Sequence, residues 1–231
     1  AALCIVCLCS SLFFLGLYHF DNKYNQNTIH AANGILALSE NDLKKSPVRF
    51  LVSGWEFYPD ALLTPEEIQD SDHYMRYLSI GEMSNFSSPA DSSPYGCGTY
   101  RMTFFLPERK EAYAIELPEV FSSYTLYLDH DRILQLGDPE QRIPLVQNRM
   151  VTFYGGKPVT LTIAVSNYDH FYGGIVYPPA FGTMLAVNTS RGIRFAFCLF
   201  SCTVTFVCAL LSFSFSHRMK QKNAFLFGLI C

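Results

Sequence analysis

Val159-Thr160-Leu161-Thr162-Ile163-Ala164-Val165-Ser166 is the stretch whose pattern decides the fold. Val159, Leu161, Ile163 and Val165 alternate with Thr160, Thr162, Ala164 and Ser166, a period of two that puts the apolar set on one face of an extended strand. The same period recurs upstream. Tyr100, Met102, Phe104 and Leu106 alternate with Thr99, Arg101, Thr103 and Phe105, and Tyr124, Leu126 and Leu128 alternate with Thr125, Tyr127 and Asp129. Further strands are expected at Phe50–Tyr58, Tyr74–Ile80, Ala112–Leu117, Ile133–Leu136, Arg149–Phe153 and Met184–Val187. Pro107, Pro118, Asp129-His130-Asp131, Gly137-Asp138-Pro139, Gly155-Gly156, Gly173-Gly174 and Pro178-Pro179 separate them as turn signals. One short helix is expected at 65–69, where Thr64 and Glu67 form a capping box and Pro65 takes the first helical position. Eight or nine short strands with little helix predict a mainly β protein, an antiparallel β-sandwich or jelly roll.

Charge divides the chain more sharply than its net value of -3 suggests. All 20 acids lie between residues 21 and 190, with 12 of the 17 Lys and Arg, so this middle is strongly acidic and water-facing. It offers no electrostatic footprint for nucleic acid. The flanks are apolar. Residues 1–20 hold an uncharged run and read as a transmembrane helix or signal anchor; the lack of Met at the start marks a fragment or a cleaved product. Residues 193–216 contain 21 uncharged positions, Phe195–Phe215, enough to cross a hydrocarbon core of ~30 Å at ~1.5 Å per residue. Residues 217–222 form a basic loop and 223–231 the truncated start of a further helix. The excess of Lys and Arg at 218–222 puts that loop in the cytoplasm and residues 21–190 outside, in a multi-pass membrane protein. Residues 21–48 read as a polar spacer and 49–190 as the extracytoplasmic sandwich. The junction Asn188–Arg194 is short and has no Pro, suited to transmitting tilt or rotation.

Seven of the eight Cys sit in the apolar flanks, and only Cys97 lies in the middle. A disulfide within the β domain is therefore excluded, and its core must hold it together. Catalytic signatures are missing: no GxSxG, HExxH, P-loop or GxGxxG occurs. Asp72-His73, Asp129-His130-Asp131 and Asp169-His170 would make a metal site only by converging in space. No metal or other cofactor is expected, and no catalytic residue. The useful signal is aromatic. Tyr168, Phe171, Tyr172 and Tyr177 surround Gly173-Gly174, and rings beside polar groups suit hydroxyl-rich ligands. The candidate ligand-binding residues are Asn167, Asp169, His170 and Tyr172, with Arg101 on the polar face of its strand as a charged donor. The Ser84–Tyr95 loop is a second candidate wall.

Ser53-Gly54-Trp55-Glu56-Phe57-Tyr58-Pro59-Asp60-Ala61-Leu62-Leu63-Thr64-Pro65-Glu66, Gly96-Cys97-Gly98-Thr99-Tyr100-Arg101, Ser122-Ser123-Tyr124-Thr125-Leu126-Tyr127-Leu128 and Val165-Ser166-Asn167-Tyr168-Asp169-His170-Phe171-Tyr172-Gly173-Gly174-Ile175 follow one another in order. Together they resemble the extracellular domain of bacterial seven-transmembrane receptors with diverse intracellular signalling modules. The resemblance spans about residues 48–190. It departs at Asp129-His130-Asp131-Arg132, where Asn-Gly is frequent, and at Cys97, where a larger apolar residue is common. The resemblance implies a galactose-binding-like jelly roll, similar to the sugar-binding domain of β-galactosidases and β-glucuronidases. It implies a sensor of a small, carbohydrate-like molecule whose output module, a histidine kinase or diguanylate cyclase, lies beyond Cys231. The expected partners are that ligand, the lipid bilayer and a second copy joined through the membrane and output regions. Two rival readings stand beside it: a membrane-tethered glycosidase, which needs two facing carboxylates, and a non-catalytic protein-interaction domain, which needs a large exposed apolar patch.

Overall fold

The computed structural model describes residues 22–24, 28–70, 72–81 and 93–219, together with isolated positions in 8–18 and Gly228. The expected membrane segment at 1–20, positions 84–92 of the second candidate loop and the segment 223–231 thus lie largely outside the described residues. Two compact units divide at Val187–Asn188.

The first unit is an antiparallel β-sandwich. Its strands are β1 (Ile35–Ala37), β2 (Val48–Phe50), β3 (Trp55–Pro59), β4 (Arg76–Leu78), β5 (Gly96–Phe105), β6 (Tyr113–Leu117), β7 (Ser123–Leu128), β8 (Asp131–Leu136), β9 (Arg149–Phe153), β10 (Val159–Asn167) and β11 (Ala180–Thr183). The larger sheet has the order β4-β3-β5-β10-β7-β8, with β1 pairing β5 in parallel; the smaller is β2-β11-β6-β9. The alternation read in the sequence sets the register. Tyr100, Met102 and Phe104 of β5 lie opposite Ile163, Leu161 and Val159 of β10, all facing the interior. The smaller sheet answers with Tyr113, Ile115, Val151, Phe153 and Phe181. Phe104 bridges the layers, 5.2 Å from Phe181 and 5.7 Å from Phe153. Trp55 meets the edge of Tyr100 at 6.2 Å and its indole nitrogen donates to the Leu51 carbonyl at 2.9 Å, so the buried polar tip is satisfied.

Two short helices lie between the early strands: α1 (Glu40–Lys45) and α2 (Pro65–Asp70). The capping box of α2 forms as read: the Glu67 N–H donates to the Thr64 hydroxyl, and the Thr64 N–H to the Glu67 carboxylate. The segment 61–66 is tied at both ends. Thr99 of β5 donates to the Ala61 carbonyl at 2.8 Å and accepts from the Leu63 N–H at 2.9 Å; Glu66 meets His130, in the β7–β8 turn, at 2.8 Å. The segment therefore crosses the outside of β10 and β7. That explains why β10 is buried on both faces from Leu161 onward, where its polar residues suggested a solvated face.

Three expectations are corrected. Residues 31–48 are not a spacer: β1 pairs with β5, and Leu36, Leu38 and Leu43 enter the core. They are held by α1, whose own capping box joins Ser39 and Asp42, and by Arg49, which is 2% exposed and donates to the Asp42 and Ser46 carbonyls. The run Phe50–Tyr58 is two strands in different sheets, because Gly54, at φ +79, packs on the Ala31 carbonyl where a Cβ would collide at 2.2 Å. Met184–Val187 is helix, the first turn of α3 (Met184–Met219).

The second unit is the rest of α3. It is long and apolar enough to cross a membrane. Positions 188–194, expected as a junction, are helical. Phe195, Leu199, Phe200 and Leu211 are exposed around it, an all-round apolar surface that water does not favour. Its hydroxyls are spent internally: Ser201, Thr203 and Thr205 each donate to a carbonyl four residues back, at 2.8 to 3.1 Å. Gly228 lies against this helix, where a Cβ would come within 2.9 Å of the Phe213 ring and 3.2 Å of the Ala209 carbonyl.

Candidate functional site

The register brings three connections to one end of the sandwich. Asn167 ends β10 opposite Gly96, Ser123 begins β7 opposite Ser166, and Ala180 begins β11 opposite Glu116. The loops 118–122, 137–148 and 168–179 therefore share this end. From them come Phe121, Tyr168, His170, Tyr172 and Tyr177.

Asn167 builds the loop. It is buried, and its amide donates to the Pro94 and His170 carbonyls, each at 2.7 Å, while its oxygen accepts from the His170 N–H at 3.2 Å. Both amide hydrogens and one oxygen lone pair of this side chain are used inside the protein, so it positions the loop. Tyr100 props the far side from the core: its hydroxyl accepts from the Ile175 N–H at 3.4 Å. Burial holds that phenol well above its usual range.

His170 stacks on Phe121, rings 4.6 Å apart and 11° from parallel. Its Nδ1 accepts from the Tyr172 N–H at 3.0 Å, which assigns the ring proton to Nε2. Tyr172 stands 5.6 Å from His170 and 6.1 Å from Phe121, and Tyr177 stands 6.3 Å from Phe121. Tyr24 closes the cluster from the N-terminal side by donating to the Val176 carbonyl at 2.9 Å; burial, then the neighbouring Tyr177, raise its pKa. The result is a connected group of rings with Tyr172 51% exposed and Phe171 68% exposed. Asp169 is exposed on the same loop. Such a surface offers flat apolar faces beside a histidine and a carboxylate.

Arg101 is not part of this group. It lies opposite Glu56 in the β3–β5 register and pairs with it at 3.3 Å. Five residues separate it from Gly96 on β5, about 16 Å at ~3.3 Å per residue. Sequence reasoning missed two contributors. Phe121 precedes β7 in a connection with no aromatic neighbours in sequence to mark it. Arg142 lies in the 137–148 loop, its guanidinium 3.8 Å from the Tyr168 ring centre. Beside Tyr168 sits Cys97, half-buried, its thiol pushed up by burial and by Asp60, with Tyr168 and Arg142 acting the other way.

Among the described residues no group of three or more His, Cys, Asp or Glu is arranged to hold a metal, so the Asp-His neighbours do not converge. His130 is engaged by Glu66. The acids whose pKa is moved, Glu40, Asp42 and Glu66, are all held below the usual range, by hydrogen bonds from Arg109, Ser39 and Glu66's own backbone respectively.

No known family profile matches the chain, and no curated protein matches it. Solved structures do. The chain is similar to a β-glucuronidase of Faecalibacterium prausnitzii at 15% identity over 60% of this chain and 32% of that one, with a TM-score of 0.42. It is similar to a glycosyl hydrolase family 2 member of Bacteroides cellulosilyticus at 13% identity over 59% of this chain and 20% of that one, with a TM-score of 0.46. A family 2 β-galacturonidase of Eisenbergiella tayi, crystallised with galacturonate, matches at 13% identity over 58% and 24%, with a TM-score of 0.40. The chain spans a third or less of the length of these enzymes.

Proposed function

We propose that this chain is the extracytoplasmic sensing region of a bacterial transmembrane signal-transduction receptor, with a histidine kinase or diguanylate cyclase as its output beyond Cys231. Its ligand is a small saccharide-like molecule, bound at the loop end of the sandwich. The observation that carries the reading is the ring cluster of Phe121, His170, Tyr172 and Tyr177, in which Tyr172 and Tyr177 are exposed, Phe121 and His170 are half-buried, and the loop is fixed from below by Asn167 and Tyr100. A flexible loop would lose entropy on gripping a ligand; one already fixed loses little. Asp169 and the Nε2–H of His170 supply an acceptor and a donor for hydroxyls, and Tyr172 supplies the face. The acidic middle and the apolar α3 fit an outward-facing domain tethered to a membrane, with a ligand favouring one of two states of the domain by its differential affinity.

A saccharide panel tested by thermal shift and calorimetry on the full chain in detergent decides the matter. Binding that weakens at least tenfold in both Tyr172→Ala and His170→Ala, with the fold intact, is the expected result. Unchanged affinity in both variants places the site elsewhere on the sandwich. One observation favours a second reading, a partner-docking domain: Ile143, Leu145 and Val146 are each about half exposed in one loop at this end.

A further inference from the structure

Arg142 is presented with unusual care for a surface arginine. Its backbone sits at φ +62, a left-handed conformation that L side chains adopt at a cost. The turn that imposes this is closed by two backbone hydrogen bonds between Asp138 and Ile143, at 2.8 and 3.0 Å. Inside it the Asp138 carboxylate accepts from the Glu140 and Gln141 N–H groups, at 3.0 and 2.9 Å. Gly137, at φ +68, lets the turn close: a Cβ there would lie 2.2 Å from the Ile143 carbonyl. The guanidinium is then laid on the Tyr168 ring, 3.8 Å from its centre. Arg101 pairs with Glu56 and Arg109 with Glu40; among the described residues no carboxylate pairs with Arg142.

A guanidinium stacked on one ring keeps its edge free, and that edge matches a carboxylate through two parallel N–H groups. Tyr168 stands two residues from His170, so their Cα atoms are at most about 7 Å apart. The cation is therefore held on the same loop that carries His170 and Tyr172. Asp60, which faces the same Cys97 thiol, adds an acceptor suited to hydroxyls.

Resting on the sensing role argued above, we propose that the site takes an acidic saccharide, with Arg142 receiving the carboxylate of a hexuronate residue and the Tyr172 face stacking on a sugar ring. Arg142 is a specificity residue in this account, and Arg101, neutralised by Glu56, takes no part.

The experiment compares three matched pairs of oligosaccharides on the full chain in detergent by calorimetry: galacturonate, glucuronate and mannuronate oligomers, each as the free acid and as its neutral methyl ester. At least one acid is expected to bind tenfold or more tighter than its ester. That preference is expected to weaken with added salt, to vanish in Arg142→Gln and to persist in Arg101→Gln. Because Arg142 is strained, Arg142→Asn is expected to lose the preference without a fall in Tm. Equal binding of acid and ester by the natural chain overturns the proposal and leaves the saccharide reading standing. An acid preference that survives Arg142→Gln overturns the assignment to Arg142. Absence of binding by every acid and every ester overturns both.

Discussion

Two surfaces of the same sandwich treat polar residues in opposite ways. On the outer face of the larger sheet they are enclosed. Arg101 is matched by Glu56, Thr99 is bonded to the segment that crosses above it, and Thr162 and Ser166 are buried with hydroxyls that find no partner among the described residues. At the loop end Asn167 is buried with three hydrogen bonds, while Phe171, Tyr172 and Arg142 are exposed; Ser122, in the 118–122 connection, is buried there with no hydroxyl partner among the described residues. On the face the cover is the protein's own 61–66 segment, bonded to Thr99. An exposed end whose loop is anchored from beneath by Asn167 suits a binding surface, since its accuracy depends on the layer beneath. The contrast is the reason for proposing the binding site at the end rather than on the face.

The largest effect that would break this contrast is at Asn167. Asn167→Ala strips partners from the Pro94 and His170 carbonyls and the His170 N–H at once. We expect a loss of about 2–3 kcal/mol in denaturant unfolding and faster amide exchange across 168–177. A loss below about 0.5 kcal/mol with unchanged exchange would mean that the loop holds itself. Next is Thr162, whose buried hydroxyl has no partner. Thr162→Val keeps the shape and removes the desolvated group, so stability should rise by about 1 kcal/mol, read as a higher Tm. A fall of similar size would reveal a hidden partner on this face.

Smaller still is Arg101→Gln. The pair with Glu56 is partly solvated, with side chains 27% and 18% exposed, so the cost should be about 0.5–1 kcal/mol, shrinking in high salt. A larger, salt-insensitive loss would make the outer face a tuned site. The smallest effect is acidic. Glu66 is held low chiefly by its own backbone N–H and then by His130, so its contribution is present above the ordinary carboxylate range near pH 4.5 and is lost as pH falls through its lower folded value. Below about pH 4 the 61–66 cover should loosen while the loop end keeps its protection, as amide exchange would report. In Glu66→Gln that acid-dependent difference should flatten.

The alternation at Val159–Ser166 was enough to place β10, and the Thr64–Glu67 pair was enough to start α2, because both rest on interactions within one short segment. The loop at 167–174 was also legible, from glycines and aromatics side by side. Its inner logic was not. Asn167 read as a ligand group because its partner Pro94 lies 73 residues away. Residues 31–48 read as a spacer because their few leucines are interrupted by polar residues, and only pairing with β5 gives those leucines a core. Met184–Val187 read as a strand because four residues cannot separate a period of two from one of 3.6.

What the sequence determined by itself is therefore whatever local patterning controls: an acidic β domain, an apolar helix long enough to cross a membrane, and a loop rich in rings. What only the tertiary structure decided is which side chains share that loop's surroundings. Phe121 reaches His170, Arg142 reaches Tyr168, and Arg101 is drawn to Glu56, because sheet register, a property of pairing between distant strands, sets which connections meet at one end.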